Sequence, residues 1–234
     1  MVSNYNSQFK GLSGNFLKII ALITMTIDHA GLELFDDCIW MRIIGRISFP
    51  IFAYMIAEGC TYTKNKIKHF TKIFLLAILC QIVYFVVIES LYQCIFITFS
   101  LSIALIYSFD NLLKNRTIKS IVICFFTTVI FFVATIILPQ VLANTDYKID
   151  YGICGVLLPV FVYFAKQRKD KLLLFAAGLL LLCFYYGGIQ WYSLATVPLI
   201  ALYNGKRGKL KLKNLFYIYY PLHLVAIYFI GVLF

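Results

Sequence analysis

Long apolar segments alternate with short, mostly basic polar stretches along the whole chain. If about 15 to 25 apolar residues make one membrane crossing, this pattern predicts nine helical spans. Their bounds are 16–35, 39–62, 70–88, 92–109, 120–138, 151–164, 172–186, 189–203 and 215–234. Aliphatic runs of this length do not alternate as the strands of a membrane barrel do. The predicted fold is therefore all-α, a polytopic integral membrane helical bundle.

Composition agrees with this prediction and narrows the function. Of the 234 residues, 62% are hydrophobic and 13% are charged. The net charge of +11 comes from short basic clusters between apolar runs, and no DNA-binding motif accompanies them, so nucleic acid is not an expected partner. The seven cysteines lack CxxC spacing, which predicts neither a disulfide framework nor a metal site. Without a linker or a repeat, residues 1–234 are expected to form a single domain.

The charges of the loops predict an orientation. Apart from Arg42, Arg46 and Lys148, every basic residue lies at the start of the chain or in every second loop. These clusters are Lys10 and Lys18; Lys64, Lys66, Lys68 and Lys72; Lys114, Arg116 and Lys119; Lys166, Arg168, Lys169 and Lys171; and Lys206, Arg207, Lys209, Lys211 and Lys213. The intervening turns hold Glu33, Asp36, Asp37, Glu89, Asp146 and Asp150. Because basic loops stay on the cytoplasmic side, we expect a cytoplasmic N-terminus and an external C-terminus.

Four ionisable residues lie inside the first two spans: Asp28, His29, Arg42 and Arg46. A charge at this depth costs a few kcal/mol or more unless it is paired or faces a cavity, so these residues indicate a functional site. At about 1.5 Å per residue, His29 and Arg46 both lie roughly 9 to 10 Å below the external end, and we expect them to meet. Asp28 points about 100° away from His29 and is expected to pair with an arginine instead.

Acyl transfer from a thioester would use such a group of residues. The reaction needs a base for the proton of the acceptor and a cation beside the developing oxyanion. His29 suits the first role and Arg46 the second, with Asp28 setting the protonation of the cluster and Arg42 as a secondary candidate. The alternative is that Asp28 and an arginine form a packing ion pair, with His29 a hydrogen-bonded bystander.

Two further groups of polar residues lie in the spans. In the second span, Glu58 follows Tyr54 by one turn near the cytoplasmic end. Glu58 is expected either to be half-solvated and paired with Lys64 or to line an access channel, and Pro50 is expected to kink the helix.

The last span carries Tyr217, Tyr220 and His223 around Pro221. Tyr220 and His223 are three residues apart and share a face. A lone histidine in such a helix is usually a packing residue, and His223 is the reserve candidate for the base.

The stretch YNGKRGKLKLKN before the last span combines Gly205 and Gly208 with five cations. Glycines permit close backbone approach, and cations bind phosphates. We therefore name Lys64, Asn204, Lys206 and Arg207 as candidate residues for binding the nucleotide end of coenzyme A. The alternative is ordinary cytoplasmic charge that attracts anionic lipid.

Several motifs resemble one known family. They are LKIIALITMTIDHAG, MRIIGRISFPIFAYMIAEG with TYTKN, ITFSLSIAL, DYGICGVLLPVFVY, LYNGKRG and FYIYYPLHL. In this order they resemble the TraX family of membrane proteins over essentially the whole chain. The founding member acetylates the N-terminus of a conjugative pilin, and the family is similar to other transmembrane acyltransferases. The motif positions of the family fall on Asp28, His29, Arg46 and His223.

The resemblance implies an acetyl-CoA-dependent N- or O-acetyltransferase of the bacterial cytoplasmic membrane, without a metal. It implies acetyl-CoA as co-substrate, membrane lipid as the surroundings, and a pilin-like protein, glycan or lipid as acceptor. Two rival functions stay open. One is a proton-coupled transporter, against which the chain shows no inverted repeat. The other is a non-catalytic pilus or envelope assembly factor.

Overall fold

The computed structural model describes residues 11–35, 37–87, 89–209 and 213–233, with side chains except at 87, 213–217 and 233. Lys10, Asp36 and Lys211, and the side chains of Lys213 and Tyr217, lie outside the described residues. The described chain is helical and contains no strand, only two isolated β-bridges, Leu12 with Tyr203 and Gln93 with Ile149. The prediction of an all-α fold is confirmed.

The helices follow one another through short connections. They are α1 (Gly14–Glu33), α2 (Ile39–Gly45), α3 (Ser48–Tyr62), α4 (Lys66–Val87), α5 (Ile95–Asn115), α6 (Ile118–Phe132), a π-helical turn (Val133–Ile137), α7 (Leu138–Val141), α8 (Gly152–Phe164), α9 (Arg168–Tyr186), a 3₁₀ segment (Gly188–Ala195), α10 (Thr196–Ala201) and α11 (Lys213–Leu233).

Each of the nine predicted segments coincides with helical structure to within six residues at either end. The nine segments differ in length and composition. In the described chain, five stretches are long and apolar enough to cross a membrane: Gly14–Glu33, Ile39–Tyr62, Lys66–Val86, Ile95–Asn115 and Ile118–Val141. The later segments are shorter, begin with several charges, or change helix type. The chain is thus a helical membrane protein, and its nine crossings and orientation stay predictions.

Two of the long spans are interrupted next to a proline. The second span breaks at Arg46 and Ile47, so α3 begins at Ser48 and Pro50 lies in its first turn. A proline is tolerated there because the first N–H groups of a helix have no intrahelical acceptor. The expected kink is therefore a break placed before Pro50. In the fifth span, Pro139 has no N–H for the carbonyl of Thr135, and the chain widens to a π-helical turn.

The chain divides into two compact units, Met1–Met55 with Ala165–Phe234, and Ile56–Phe164. In the first unit, α1 packs against α2 and α11, and the 3₁₀ segment packs against α2, α9 and α10. In the second unit, α5 packs against α4, α6 and α8. The four ionisable residues of the first two spans, and His223 of the last helix, all belong to the first unit.

Candidate functional site

Asp28 is held by both arginines of the second span. Arg46 Nη2 donates to both carboxylate oxygens at 2.7 and 3.0 Å. Arg42 Nη1 lies 3.0 Å from Oδ2 and also donates to the backbone oxygen of Asp28 at 2.9 Å. The side chains are 14%, 13% and 23% exposed for Asp28, Arg46 and Arg42. The prediction that Asp28 pairs with an arginine is confirmed.

Two glycines allow this close packing of α1 against α2. A Cβ on Gly45 would lie 2.2 Å from the Cβ and Oδ1 of Asp28, and a Cβ on Gly31 would lie 2.6 Å from the Cβ of Met41. Neither position has room for a side chain, because real Cβ atoms do not approach so closely. The glycines thus bring the backbone of α2 to the carboxylate, and the break that follows Gly45 directs Arg46 onto it.

His29 forms a hydrogen bond with the histidine of the last helix. Its Nδ1 lies 2.8 Å from Nε2 of His223, and the two rings stack with centroids 5.0 Å apart. His223 is buried, with 6% of its surface exposed. The structure therefore unites two residues that the sequence analysis considered as separate candidates for the base.

The partner of the other His223 nitrogen determines which atoms carry protons. Nδ1 of His223 lies 3.1 Å from the backbone oxygen of Tyr219, and a carbonyl oxygen only accepts, so this nitrogen carries the hydrogen. In a neutral ring, Nε2 of His223 is then the acceptor and Nδ1 of His29 the donor. The lone pair of His29 is thereby assigned to its Nε2. Among the described residues, no partner bonds to that atom.

Aromatic side chains of α11 hold the histidine pair in place. The Tyr219 ring stacks on His223 with centroids 5.4 Å apart, and Tyr220 contacts both histidines edge-on. The hydroxyl of Tyr219 lies 2.7 Å from Oγ1 of Thr26, which itself donates to the backbone oxygen of Leu22. The tyrosine is therefore the donor to Thr26, and it ties α11 to α1.

The basic stretch at 204–207 joins the N-terminal end of α1. The backbone oxygens of Lys206 and Arg207 accept from the amides of Gly14 and Asn15 at 2.8 and 2.9 Å. The Asn204 side chain donates to the oxygen of Gly11 and accepts from the amide of Lys206. Both ends of the Asn204 amide thus shape the loop, whereas the side chain of Arg207 is exposed.

Two other predicted residues belong to the second unit. Glu58 is buried, with 3% of its surface exposed. The expectation that it is half-solvated is wrong, because it lies one turn after the fully buried Tyr54 on α3. Lys64 lies in the short exposed connection between α3 and α4. Its role in binding coenzyme A stays a prediction.

The second unit also contains a polar cluster that the sequence analysis did not single out. Asp110 pairs with Lys66 and, at 2.9 Å, with Lys114, whose side chains are 40% and 65% exposed. Beside it, Nδ1 of His69 lies 2.8 Å from the hydroxyl of Tyr107. This cluster repeats the elements of the first one, an aspartate with two cations and a histidine, with more exposed cations.

The sequence did not predict two residues that support the histidine pair. Tyr219 stacks on His223, and its hydroxyl bonds to Thr26. A signal for Tyr219 was available, because it lies four residues before His223 and so on the same helix face. Thr26 gave no signal, because a threonine that bonds its own helix is common in membrane helices.

The fold and the site together define a class: a polytopic helical membrane protein with a hydrogen-bonded histidine pair and an aspartate between two arginines. The TraX protein family matches residues 13–231. The chain belongs to the TraX family.

Two curated relatives extend this assignment. An uncharacterized protein of Rickettsia prowazekii (strain Madrid E) is 31% identical over 159 residues, which is 68% of this chain and 58% of that protein. The chain thus matches less than two thirds of that relative. A probable fimbrial assembly protein of Dichelobacter nodosus (FimC, serogroup H1) is 24% identical, over 90% of this chain and 92% of its own length. No solved structure matches the chain.

Proposed function

We propose that this protein is a membrane-embedded acetyltransferase that moves an acetyl group from cytoplasmic acetyl-CoA to an amine or hydroxyl acceptor. The hydrogen bond between His29 and His223 is the observation that carries the proposal. It leaves a basic nitrogen on a polar side chain of a membrane helix, beside two arginines. Such a group is costly in a membrane and is explained by catalysis.

His29 acts as the general base in this proposal. Its Nε2 takes the proton from the acceptor amine or hydroxyl as the nitrogen or oxygen forms a bond to the acyl carbon. Acetyl-CoA supplies an activated thioester. When the carbon–sulfur bond breaks, the imidazolium returns the proton to the leaving sulfur. The proton taken from the acceptor thus ends on the coenzyme A thiol, and His223 accepts from Nδ1 of His29 throughout.

The arginines stabilise the negative charge that develops on the acyl oxygen. Asp28 neutralises one of the two guanidinium groups, so the cluster keeps one net positive charge. Arg42 uses only Nη1 toward the described residues, and its Nε and Nη2 groups remain as donors. We therefore extend the oxyanion role, first assigned to Arg46, to Arg42.

The donor enters beside the loop at 204–207. The exposed cation of Arg207 suits phosphate binding, and its backbone is anchored on α1. Asn204 contributes through loop shape rather than as a direct ligand. The charge pattern supports a cytoplasmic position for this basic loop. We propose the bacterial cytoplasmic membrane as the location of the protein.

The name of one relative supports a proposal for the acceptor class. That relative is named a probable fimbrial assembly protein, which favours a pilin-like subunit, with an envelope glycan or lipid as the next candidates. The same name supports a second candidate function, an assembly factor without catalysis, which would need no base at His29.

The experiment compares purified wild-type protein with His29→Gln in detergent or nanodiscs. Release of coenzyme A thiol and transfer of labelled acetyl to an envelope fraction are measured. The glutamine side chain retains an amide donor for His223, so we expect the fold to be preserved. The matched control is His69→Gln in the second unit. Activity in wild type and control with loss in His29→Gln supports the proposal, and equal activity in all three overturns it.

A further inference from the structure

The 3₁₀ segment (Gly188–Ala195) has its polar side inward. A 3₁₀ helix has three residues per turn, so residues three apart share a face. Gln190, Ser193 and Thr196, where α10 begins, share one face and are 4%, 0% and 0% exposed. Trp191 and Tyr192 on the other faces are 40% and 53% exposed. The segment thus has exposed aromatic side chains on one side and buried polar side chains on the other.

Two atoms of this polar stripe have no partner. Nε2 of Gln190 and Oγ1 of Thr196 are buried without a hydrogen bond, and in the described chain the only other such atom is Oγ of Ser100. Ser193 has a weak contact, 3.5 Å from Sγ of Cys183. Buried polar groups are nearly always hydrogen-bonded, because an unpaired one destabilises the fold. Two unpaired polar atoms, six residues apart on one face, therefore indicate a ligand that forms hydrogen bonds with both.

The stripe lies between two features of the proposed site. The 3₁₀ segment packs against α2, the helix that carries Arg42, and it continues through α10 to the loop at 204–207. At about 2 Å of rise per residue, Gln190 and Thr196 are roughly 12 Å apart along the axis. A ligand that contacts both is extended and carries polar groups at intervals.

We propose that the stripe formed by Gln190, Ser193 and Thr196 binds the pantetheine arm of an acyl-CoA. That arm is an extended chain with two amides and a hydroxyl. Each amide has a carbonyl that accepts from Gln190 Nε2 and an N–H that donates to a hydroxyl such as that of Thr196. The stripe thus leads a thioester from the basic loop toward α2. This inference rests on the proposed function, since it names the path of the same donor.

The test uses the full-length protein in detergent with two probes, coenzyme A and adenosine 3′,5′-bisphosphate, which lacks the arm. The variants are Gln190→Met, Thr196→Val and their combination, with Ser100→Ala as the matched control for loss of an orphan hydroxyl. Isothermal titration gives the dissociation constants, and thermal unfolding gives the stability of the ligand-free protein.

We expect the double variant to weaken coenzyme A binding about tenfold or more, the factor that 1.4 kcal/mol represents. Binding of the bisphosphate is unchanged in every variant. The unfolding temperature without ligand is equal or higher, because an unsatisfied group has been removed. Ser100→Ala shares the stability effect and binds coenzyme A as the wild type does.

Three results overturn the inference, and they differ in what they mean for the proposed function. If coenzyme A binds the double variant as tightly as the wild type, the stripe is not its site, and the proposed acetyltransferase stands. The same holds if ligand-free Gln190→Met and Thr196→Val are less stable, since their polar atoms are then satisfied within the fold. If the wild type binds no coenzyme A, this inference and the proposed function both fail.

Discussion

Two aspartates of this protein are each held by two basic side chains beside a histidine, and the clusters differ in the exposure of their cations. Asp28 meets arginines that are 13% and 23% exposed, whereas Asp110 meets lysines that are 40% and 65% exposed. A lysine at a helix end keeps its ammonium in water. A buried cation needs a planar fork that binds a carboxylate through several hydrogen bonds.

The histidines beside these clusters also differ, in how far their hydrogen bonds determine which ring nitrogen carries the proton. His29 bonds to another histidine whose remaining nitrogen is bound to a carbonyl, so its tautomer is determined. Nδ1 of His69 bonds to a tyrosine hydroxyl, which can donate or accept, so this bond by itself does not determine which nitrogen carries the proton. Under the proposed function the first cluster carries the chemistry, whereas the second cluster joins α4 to α5.

The largest expected effect separates the two histidines. His29→Gln is expected to lower the rate of acetyl transfer about 10²- to 10⁴-fold, the usual contribution of a general base. His69→Gln is expected to keep the wild-type rate within a few-fold, because His69 lies outside the proposed site and its Nδ1 bonds to Tyr107. Initial rates at saturating acetyl-CoA measure both. A loss of rate of equal size in the two variants would contradict the proposed difference between His29 and His69.

The aspartates are expected to differ in stability. Asp28→Asn removes the carboxylate that two largely buried arginines share, which costs about 3 to 5 kcal/mol of unfolding free energy. Asp110→Asn removes a pair whose cations reach water, and costs about 1 kcal/mol or less. Chemical denaturation in detergent micelles gives the two values. Similar losses would mean that exposure does not govern these pairs.

Two glycines, Gly45 and Gly59, lie against the two clusters and differ in the space around them. A Cβ at Gly45 would overlap Asp28 at 2.2 Å, whereas one at Gly59 would lie 3.5 Å from the His69 ring. Gly45→Ala is therefore expected to destabilise the fold by about 1 to 3 kcal/mol. Gly59→Ala is expected to be neutral or to stabilise by up to about 1 kcal/mol, through helix propensity. The same denaturation experiment measures both changes.

The smallest expected effect comes from exchanging the cations. Arg46→Lys keeps the charge near Asp28 but loses the second donor, Nε, which bonds the backbone oxygen of Arg42, and we expect a rate about tenfold lower. Lys66→Arg keeps an exposed cation near Asp110 and should change the rate and the stability very little. A tolerated Arg46→Lys would indicate that charge alone suffices at the first cluster.

The sequence predicted the helical segments well, because their hydropathy is a local property. It also predicted the pair of Asp28 with an arginine, since the turn between α1 and α2 is short and helical spacing then determines depth. It did not predict the bond between His29 and His223. Periodicity in α11 shows which residues share a face, but not which of the other helices that face meets.

The polar stripe was missed for a different reason. Residues 189–203 were assigned to one apolar span with α-helical spacing, in which Gln190, Ser193 and Thr196 scatter over the surface. They form a line only at three residues per turn, and the helix type follows from packing rather than from composition. Burial of Glu58 was likewise not predictable, because a glutamate near a basic loop is usually solvated.

The bond between His29 and His223 joins residues 194 positions apart. During synthesis the ribosome adds about 5 to 20 residues each second, so α1 and α2 wait roughly 10 to 40 seconds before α11 arrives. Until then no bond to His223 determines the tautomer of His29, and the hydrogen bond from Tyr219 to Thr26 is missing. A chain released before α11 therefore has its arginines and aspartate but lacks the partner of His29, and under the proposed function it would not transfer acetyl groups.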